Sequence, residues 1–184
     1  MTAEVKQSVK VKQIVSDLFS KDEKLVLKSI KLLESAGNPN VLTPMCEVYM
    51  ETESLKVKNK ILEFLNKLID TDSIKVMVEI IRDEKFLPVR RDLLSTVWQN
   101  KMDFSDYLAD FVAIASEGNF FEAFECWTII ENLEGPFQEA QVLESQLYLK
   151  EFLETEMGKS EQKDQIISDI AVLLKDFDRA IGME

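Results

Sequence analysis

The residues of this chain that could do chemistry are two pairs of acids. Asp70 with Asp72, and Asp103 with Asp106, each place carboxylates close enough together to hold a cation or to serve as acid and base. Neither pair lies in a D-x-D-x-D-G loop, and both stand where helices are predicted to begin, so helix capping explains them better. We therefore predict no metal, no cofactor and no catalytic residue.

The two cysteines, Cys46 and Cys126, have no pairing or ligand spacing such as C-x-x-C, so the sequence predicts reduced thiols rather than a disulfide or a zinc site. Histidine is absent, which removes the commonest general acid and base of enzymes. Glycine-rich phosphate loops and the G-x-S-x-G motif are missing as well. These features favour a protein that is not an enzyme.

Composition predicts one folded domain spanning residues 1–184. The chain is 46% hydrophobic and 30% charged, with five glycines and four prolines, which is typical of a globular rather than a disordered protein. No apolar stretch near the start resembles an export signal and no segment approaches 18 apolar residues, so we expect neither export nor membrane insertion. Together with the reduced thiols, this favours a cytoplasmic location.

An apolar ladder of helical spacing recurs four times along the chain. Its first column holds Val26, Val57, Val89 and Ala123, and its second, four residues on, holds Ile30, Ile61, Leu93 and Trp127. Successive copies lie 31, 32 and 34 residues apart. A period in this range is typical of stacked helix pairs, none of which buries its apolar face alone.

Periodicity and start and stop signals predict ten helices, over 4–19, 22–36, 39–51, 53–69, 72–83, 86–100, 104–116, 120–133, 137–155 and 161–181. The ladder helices are 22–36, 53–69, 86–100 and 120–133, and 161–181 is a capping helix. The spacings of Ser20 to Glu23 and of Asn119 to Glu122 predict reciprocal caps. The predicted core seams are Ile30, Leu33, Ile61, Phe64, Leu93, Val97, Trp127 and Ile130.

The stretch from Leu18 to Tyr49 resembles a HEAT repeat. It has an acidic turn residue at Asp22, then a Val-x-x-x-Ile-x-x-Leu ladder, then Gly-Asn-Pro before a Leu-x-Pro helix. Later copies keep Val57-Lys58 and Val89-Arg90, which look like the Val-Arg pair of the family, whereas the fourth copy departs from it. The resemblance implies a right-handed α-α superhelix, a HEAT-like solenoid of about five antiparallel helix pairs, whose ladder helices line a concave, partner-binding face.

Charge is distributed unevenly along the chain. Residues 1–102 have a net charge of +2, whereas residues 103–184 have a net charge of −14, within a total of −12. Such a field attracts a basic partner, although a solvated acidic surface is the simpler interpretation. If the ladder helices line one face, an acidic segment of a bound peptide would lie near Lys28, Lys31, Lys60 and Lys67. A basic segment would lie near Glu122 and Glu125. Arg91 belongs to the same candidate surface.

Trp98 is the most informative single residue of that surface. Its counterparts in the other copies are Ser35, Asn66 and Asn132, which are all polar, so the repeat predicts a solvent-facing position. An exposed tryptophan on a binding face is a candidate hot spot. Burial against Met102 or Phe104 is the alternative. The same column argument predicts that Trp127 belongs to the core.

These patterns predict a non-enzymatic protein–protein interaction scaffold that presents a concave, charge-polarised surface to a basic or bipolar protein or peptide. Nucleic acid is not expected, because the net charge of −12 would oppose binding to its backbone. The sequence leaves the oligomeric state open. The alternatives are a HEAT-like enzyme such as a lyase and a self-associating structural module. An enclosed pocket with a perturbed carboxylate would favour the enzyme, and an open groove the scaffold.

Overall fold

The computed structural model describes residues 3–34 and 39–182. These residues form ten α-helices and no strand, which confirms the all-α class and the predicted number of helices for this part of the chain. The helices are α1 Ala3–Asp17, α2 Glu23–Glu34, α3 Leu42–Glu51, α4 Leu55–Asn66, α5 Asp72–Arg82, α6 Arg90–Gln99, α7 Leu108–Glu117, α8 Phe120–Glu131, α9 Glu139–Thr155 and α10 Glu161–Ile181. Ser35 and Gly37, used in the repeat comparison, lie outside the described residues.

Helices α3, α6 and α7 begin three or four residues later than predicted, because a short 3₁₀ segment precedes each. These segments are Pro39–Val41 before α3, Glu84–Val89 before α6 and Ser105–Tyr107 before α7. Pro39 opens the first and Pro88 lies inside the second. Proline has no amide hydrogen to donate, so it fits a tight entry turn better than the interior of an α-helix.

The two predicted caps turn out differently. Asn119 forms the predicted reciprocal cap with Glu122 at the start of α8. The prediction for Ser20 and Glu23 is wrong, because Asp22 stands directly before α2 and its Oδ1 accepts the amide of Lys24 at 2.9 Å. The Ser20 hydroxyl accepts the amide of Asp22 instead, at 3.1 Å. The chain therefore caps α2 with a carboxylate, which also suits the positive end of the helix dipole.

The chain divides into two compact units. One comprises Met1–Val89 with Asn100–Met102, and the other comprises Arg90–Gln99 with Asp103–Glu184. In the first, α2 packs on α1 and α4, and α3 packs on α4 and α5. Ile30 and Ile61, which are fully buried, are the ladder residues of α2 and α4. The ladder positions predicted from sequence are thus the core of this unit.

In the second unit α8 packs on α6, α7 and α10, while α9 packs on α7 and α10. Eight of the ten residues of α7 are buried, which suits a sequence whose charges stand only near its ends, at Asp110 and Glu117. Helices α8 and α9 make most of the contacts that cover α7. The ladder positions Leu93, Val97 and Ile130 are buried here.

Trp127 is half-buried, so the prediction that it belongs to the core is wrong. The buried stripe of α8 runs through Ala123, Cys126, Ile129 and Ile130. In a helix of 3.6 residues per turn this stripe leaves position 127 at its edge. The small side chains of Ala123 and Cys126 occupy the inward positions, and the indole is displaced toward the outer face.

Candidate functional site

The capping box of α8 fixes the start of the helix and, with it, the direction of its side chains. Asn119 Oδ1 accepts the amides of Phe121 at 2.9 Å and Glu122 at 3.2 Å. In return, Glu122 Oε2 accepts the amide of Asn119 at 2.9 Å. Three backbone amides at the start of the helix thus donate to two side chains that stand only three residues apart. The backbone entry into α8 is therefore well determined.

Glu122 is buried and paired within the second unit. Its Oε1 accepts a hydrogen bond from Arg90 Nε at 2.6 Å, and the side chains of the pair are 7% and 12% exposed. Burial acts to raise the pKa of Glu122, but hydrogen bonds from Arg90 and from the Asn119 amide, with the charges of Arg90 and Lys163, lower it overall. The carboxylate is ionised and already partnered. The prediction that Glu122 faces a bound peptide is therefore corrected.

Glu125 is also buried, and two side chains of α6 cover it. Trp98 Nε1 donates to Glu125 Oε2 at 2.9 Å, and Arg91 Nε lies 3.7 Å from Glu125 Oε1. These contacts occupy the carboxylate that was predicted to receive a basic peptide, so that prediction is corrected as well. The guanidinium of Arg91 also lies over the ring of Phe121, 4.7 Å from its centroid. Glu125 thus positions side chains that reach the surface.

Trp98 is 42% exposed, so of the two alternatives weighed from sequence, a solvent-facing position is the one observed. Its indole nitrogen is directed at Glu125, and part of the ring stays in solvent. Phe104, the proposed burial partner, is itself fully buried and packs edge-on against Phe111. Arg91, Trp98, Glu122 and Glu125 are thus brought together in one unit.

The outer side of α8 carries a row of four aromatic side chains, Phe120, Phe121, Phe124 and Trp127, which we call the aromatic face. Ring centroids of successive contacts lie 5.3, 6.5 and 5.7 Å apart. Phe121 is 54% and Phe124 45% exposed, whereas Phe120 and Trp127 are half-buried. Aromatic side chains exposed in a contiguous row are unusual, because burying them is strongly favourable.

A groove open to solvent separates the aromatic face from α10 and has a volume of about 490 Å³. Phe120, Phe124 and Trp127 form one wall. The other wall is polar and acidic, and consists of Glu161, Gln162, Gln165 and Asp169 with Ile166. Gln165 Nε2 donates to Asp169 Oδ1 at 3.0 Å. The groove therefore combines ring surfaces with carboxylates, and none of the described residues that line it is basic.

The four lysines of the predicted surface lie in the first unit. Lys28 and Lys31 are exposed on α2, and Lys67 is exposed directly after the last residue of α4. Lys60, which lies on α4, pairs with Glu34 at 2.9 Å and with Glu63 at 3.2 Å, and Lys67 pairs with Glu63 as well. The hydrogen bond to Glu34 is the main cause that raises the pKa of Lys60. Lys60 and Lys67 thus have acidic neighbours of their own.

The two thiols are free and buried. Burial raises the pKa of the Cys46 thiol to about 12, and burial likewise raises the pKa of the Cys126 thiol. Neither is therefore an accessible thiolate nucleophile at neutral pH. Among residues 3–34 and 39–182 no group of three or more His, Cys, Asp or Glu side chains could hold a metal ion. No helix in these ranges is long and apolar enough to cross a membrane.

Sequence reasoning missed Phe120, Phe121 and Phe124. The signal was present in the run from Asn119 to Trp127, where aromatic residues at 120, 121, 124 and 127 share one side of a helix whose other side holds Ala123, Cys126 and Ile130. One apolar side of a helix is enough to pack it within its own unit, so a second apolar side is left facing solvent. Comparison of the chain with family models, with curated proteins and with solved structures gives no match.

Proposed function

We propose that the protein is a non-enzymatic protein–protein interaction scaffold, which binds a protein or peptide partner through the aromatic face of α8. The observation that carries the proposal is the contiguous row of Phe120, Phe121, Phe124 and Trp127 on the solvent side of a helix whose other side is already packed. Exposed aromatic anchors supply most of the energy in many interfaces.

The fold depends less on this face than on the buried stripe of α8. The buried stripe of α8 already packs against α6, α7 and α10. Phe121 and Phe124 keep about half of their surface in water, so they contribute less to folding than core residues of the same size. An apolar surface that adds little to folding is best explained by burial against another molecule.

The contacts inside each unit agree with a HEAT-like solenoid. Helices two apart in the chain are packed together, as α2 with α4 and α3 with α5 in the first unit, and α6 with α8 and α7 with α9 in the second. Stacked helix pairs give this pattern, because each helix packs on its counterpart in the next pair. We retain the right-handed superhelix and the cytoplasmic location as parts of this proposal.

The scaffold is preferred to a HEAT-like lyase on two observations. The groove beside the aromatic face is open rather than an enclosed pocket of the kind that buries a small substrate. The buried carboxylate of Glu122 is held ionised by Arg90, with a lowered pKa, so it is not poised to donate a proton near neutral pH. Both features fit a binding surface better than an active site.

The test is affinity capture from the native host with tagged protein and two matched variants. Phe121→Ser/Phe124→Ser removes exposed rings from the aromatic face, whereas Leu143→Ser/Leu147→Ser removes exposed leucines from α9. We expect the first variant to lose a partner that the wild type and the second variant retain. Thermal unfolding of all three proteins confirms that each is folded. Equal capture by all three would contradict the proposal.

A second candidate is the self-associating module, favoured by the exposed leucines of α9. Leu143 and Leu147 stand one turn apart and are 51% and 66% exposed. A second copy could cover both residues. Light scattering over a dilution series would then give a mass that falls with dilution, and Leu147→Glu would give the monomer mass throughout. A constant monomer mass for the wild type would rule this candidate out.

A further inference from the structure

We propose that the groove between α8 and α10 binds a basic segment of the partner and takes an arginine side chain from it. This inference rests on the proposed function and adds the chemistry of the ligand. One wall of the groove presents aromatic rings and the other presents carboxylates. A guanidinium is the side chain that matches both, because it stacks on rings and bonds to carboxylates at its edge.

The aromatic wall leaves ring surface for a ligand. Phe120 and Phe124 are tilted by 36° with their centroids 6.5 Å apart, and Phe124 and Trp127 are tilted by 53° at 5.7 Å. Neither pair is stacked face to face, so the rings do not cover one another. Tryptophan is the strongest partner in cation–π contacts, and Trp127 is half-buried at the edge of the groove.

The acidic wall follows from the spacing along α10. Glu161, Gln165 and Asp169 are four residues apart, so they lie on one side of the helix. Gln165 donates its amide to Asp169 Oδ1, which orients that carboxylate. A cation in the groove would meet two negative charges and the amide oxygens of Gln162 and Gln165. A partner segment with an acidic side chain at this point would meet repulsion instead.

Three cations of the same unit, Arg90, Lys159 and Lys163, have partners outside the groove, and Lys159 pairs with Glu156 at 2.7 Å. Arg90 pairs with Glu122 at 2.6 Å. Lys163, although it follows Gln162 on α10, donates to Ser116 O at 2.7 Å and Gly118 O at 2.6 Å, at the end of α7. The groove therefore keeps its negative charge in the folded protein.

The aromatic face already binds one guanidinium of its own chain. The Arg91 side chain lies 4.7 Å from the ring centroid of Phe121, with Glu125 Oε1 3.7 Å from its Nε. Ring and carboxylate therefore hold a guanidinium together on the α6 side of α8. The groove on the α10 side offers the same two groups, and no arginine is among the described residues that line it. The net charge of −14 on residues 103–184 would steer a basic segment toward this unit.

The experiment uses three labelled peptides of equal length in which three arginines, three lysines or three citrullines are spaced by glycine and serine. Citrulline keeps the shape of arginine without its charge. Binding to the full chain is measured by fluorescence anisotropy at low salt. We expect the arginine peptide to bind at least about tenfold more tightly than the citrulline peptide and more tightly than the lysine peptide. Binding should weaken as salt rises above about 0.15 M.

Two double variants distinguish the effect of the groove carboxylates from the effect of the overall net charge on peptide binding. Glu161→Gln/Asp169→Asn removes two charges from the groove, and Glu139→Gln/Glu144→Gln removes two exposed charges from α9, so both proteins have the same net charge. We expect the first to weaken arginine-peptide binding about fivefold or more, and the second less than about twofold. Phe124→Ala should weaken it about three- to thirtyfold, the range of a cation–π contact. Circular dichroism checks that each variant is folded.

Equal losses in the two double variants would overturn the inference, because the acidic surface as a whole would then attract the peptide. A citrulline peptide that binds as well as the arginine peptide would overturn it too, as would the absence of binding up to about 1 mM. None of these results bears on the capture experiment with Phe121→Ser/Phe124→Ser. A partner lost in that variant would still support the proposed function, with a different ligand chemistry.

Discussion

The buried pair of Arg90 and Glu122 gives the sharpest prediction about stability. In Arg90→Met the carboxylate of Glu122, 7% exposed, would lose the hydrogen bond at 2.6 Å and its counter-charge. Breaking such a pair leaves a buried charge and costs about 3–5 kcal/mol of unfolding free energy at pH 7. Denaturation by urea with circular dichroism detection measures the loss.

A neighbouring arginine provides the matched control. Arg91 lies one residue further along α6, is 56% exposed, and has its Nε 3.7 Å from Glu125. Exposed pairs contribute little, so Arg91→Met should cost about 1 kcal/mol or less. Adding Glu122→Gln to Arg90→Met should recover part of the loss, because the buried group is then neutral. A loss below about 1 kcal/mol in Arg90→Met would refute the reasoning.

The contribution of Glu122 to stability should depend on pH with opposite signs in the wild type and in Arg90→Met. In the wild type the pKa of Glu122 is lowered from 4.5, so its contribution is full above pH 4.5 and is lost as pH falls through the folded pKa. In Arg90→Met burial without a cation should raise that pKa above 4.5. The variant should then lose less stability than the wild type, or gain some, as pH falls from 7 toward 4. Parallel profiles would contradict this account.

Three further predictions concern other positions. Ile61→Ala should cost about 2–5 kcal/mol of unfolding free energy, because the side chain is fully buried, and a change within half a kcal/mol would show that its column is not core. Trp98→Ala should cost about 1–3 kcal/mol of stability, because Glu125 loses a donor, and about 2 kcal/mol or more in partner affinity; a loss confined to folding would contradict the prediction that Trp98 is a hot spot. Gly118→Ala should destabilise by about 1–3 kcal/mol in thermal unfolding, because a Cβ there would lie 2.7 Å from Ile114 O, and an unchanged midpoint would show that the turn adapts.

The helices and most of the core could be predicted from sequence because both depend on local periodicity. Ile30, Ile61 and Leu93 stand at the same ladder position and are all fully buried. Trp127 stands at that position too but is half-buried. A ladder assumes that every copy faces its neighbours with the same side, and α8 is rotated so that Cys126 points inward. That rotation depends on the helices that pack around α8, and the sequence period carries no information about them.

The candidate site was only partly predictable for a related reason. Trp98 was singled out because its counterparts are polar, and it is exposed. Glu122 and Glu125 were assigned to an open surface because acids are usually solvated, whereas Arg90 and Trp98 reach them from α6. Those partners are 32 and 27 residues away, about one repeat, so only the stacking of α6 on α8 brings them together. The basic partner of the groove stays a prediction.

Helix α7 is enclosed within its unit by α8 and α9, and eight of its ten residues are buried. Its backbone amides can therefore meet water only when neighbouring helices separate from it. The amides of α7 should be the slowest of this unit to exchange hydrogen for deuterium, at a rate set by the opening of the whole unit. A partner bound on α8 would slow that exchange without touching α7, and so would report its occupancy from inside the protein.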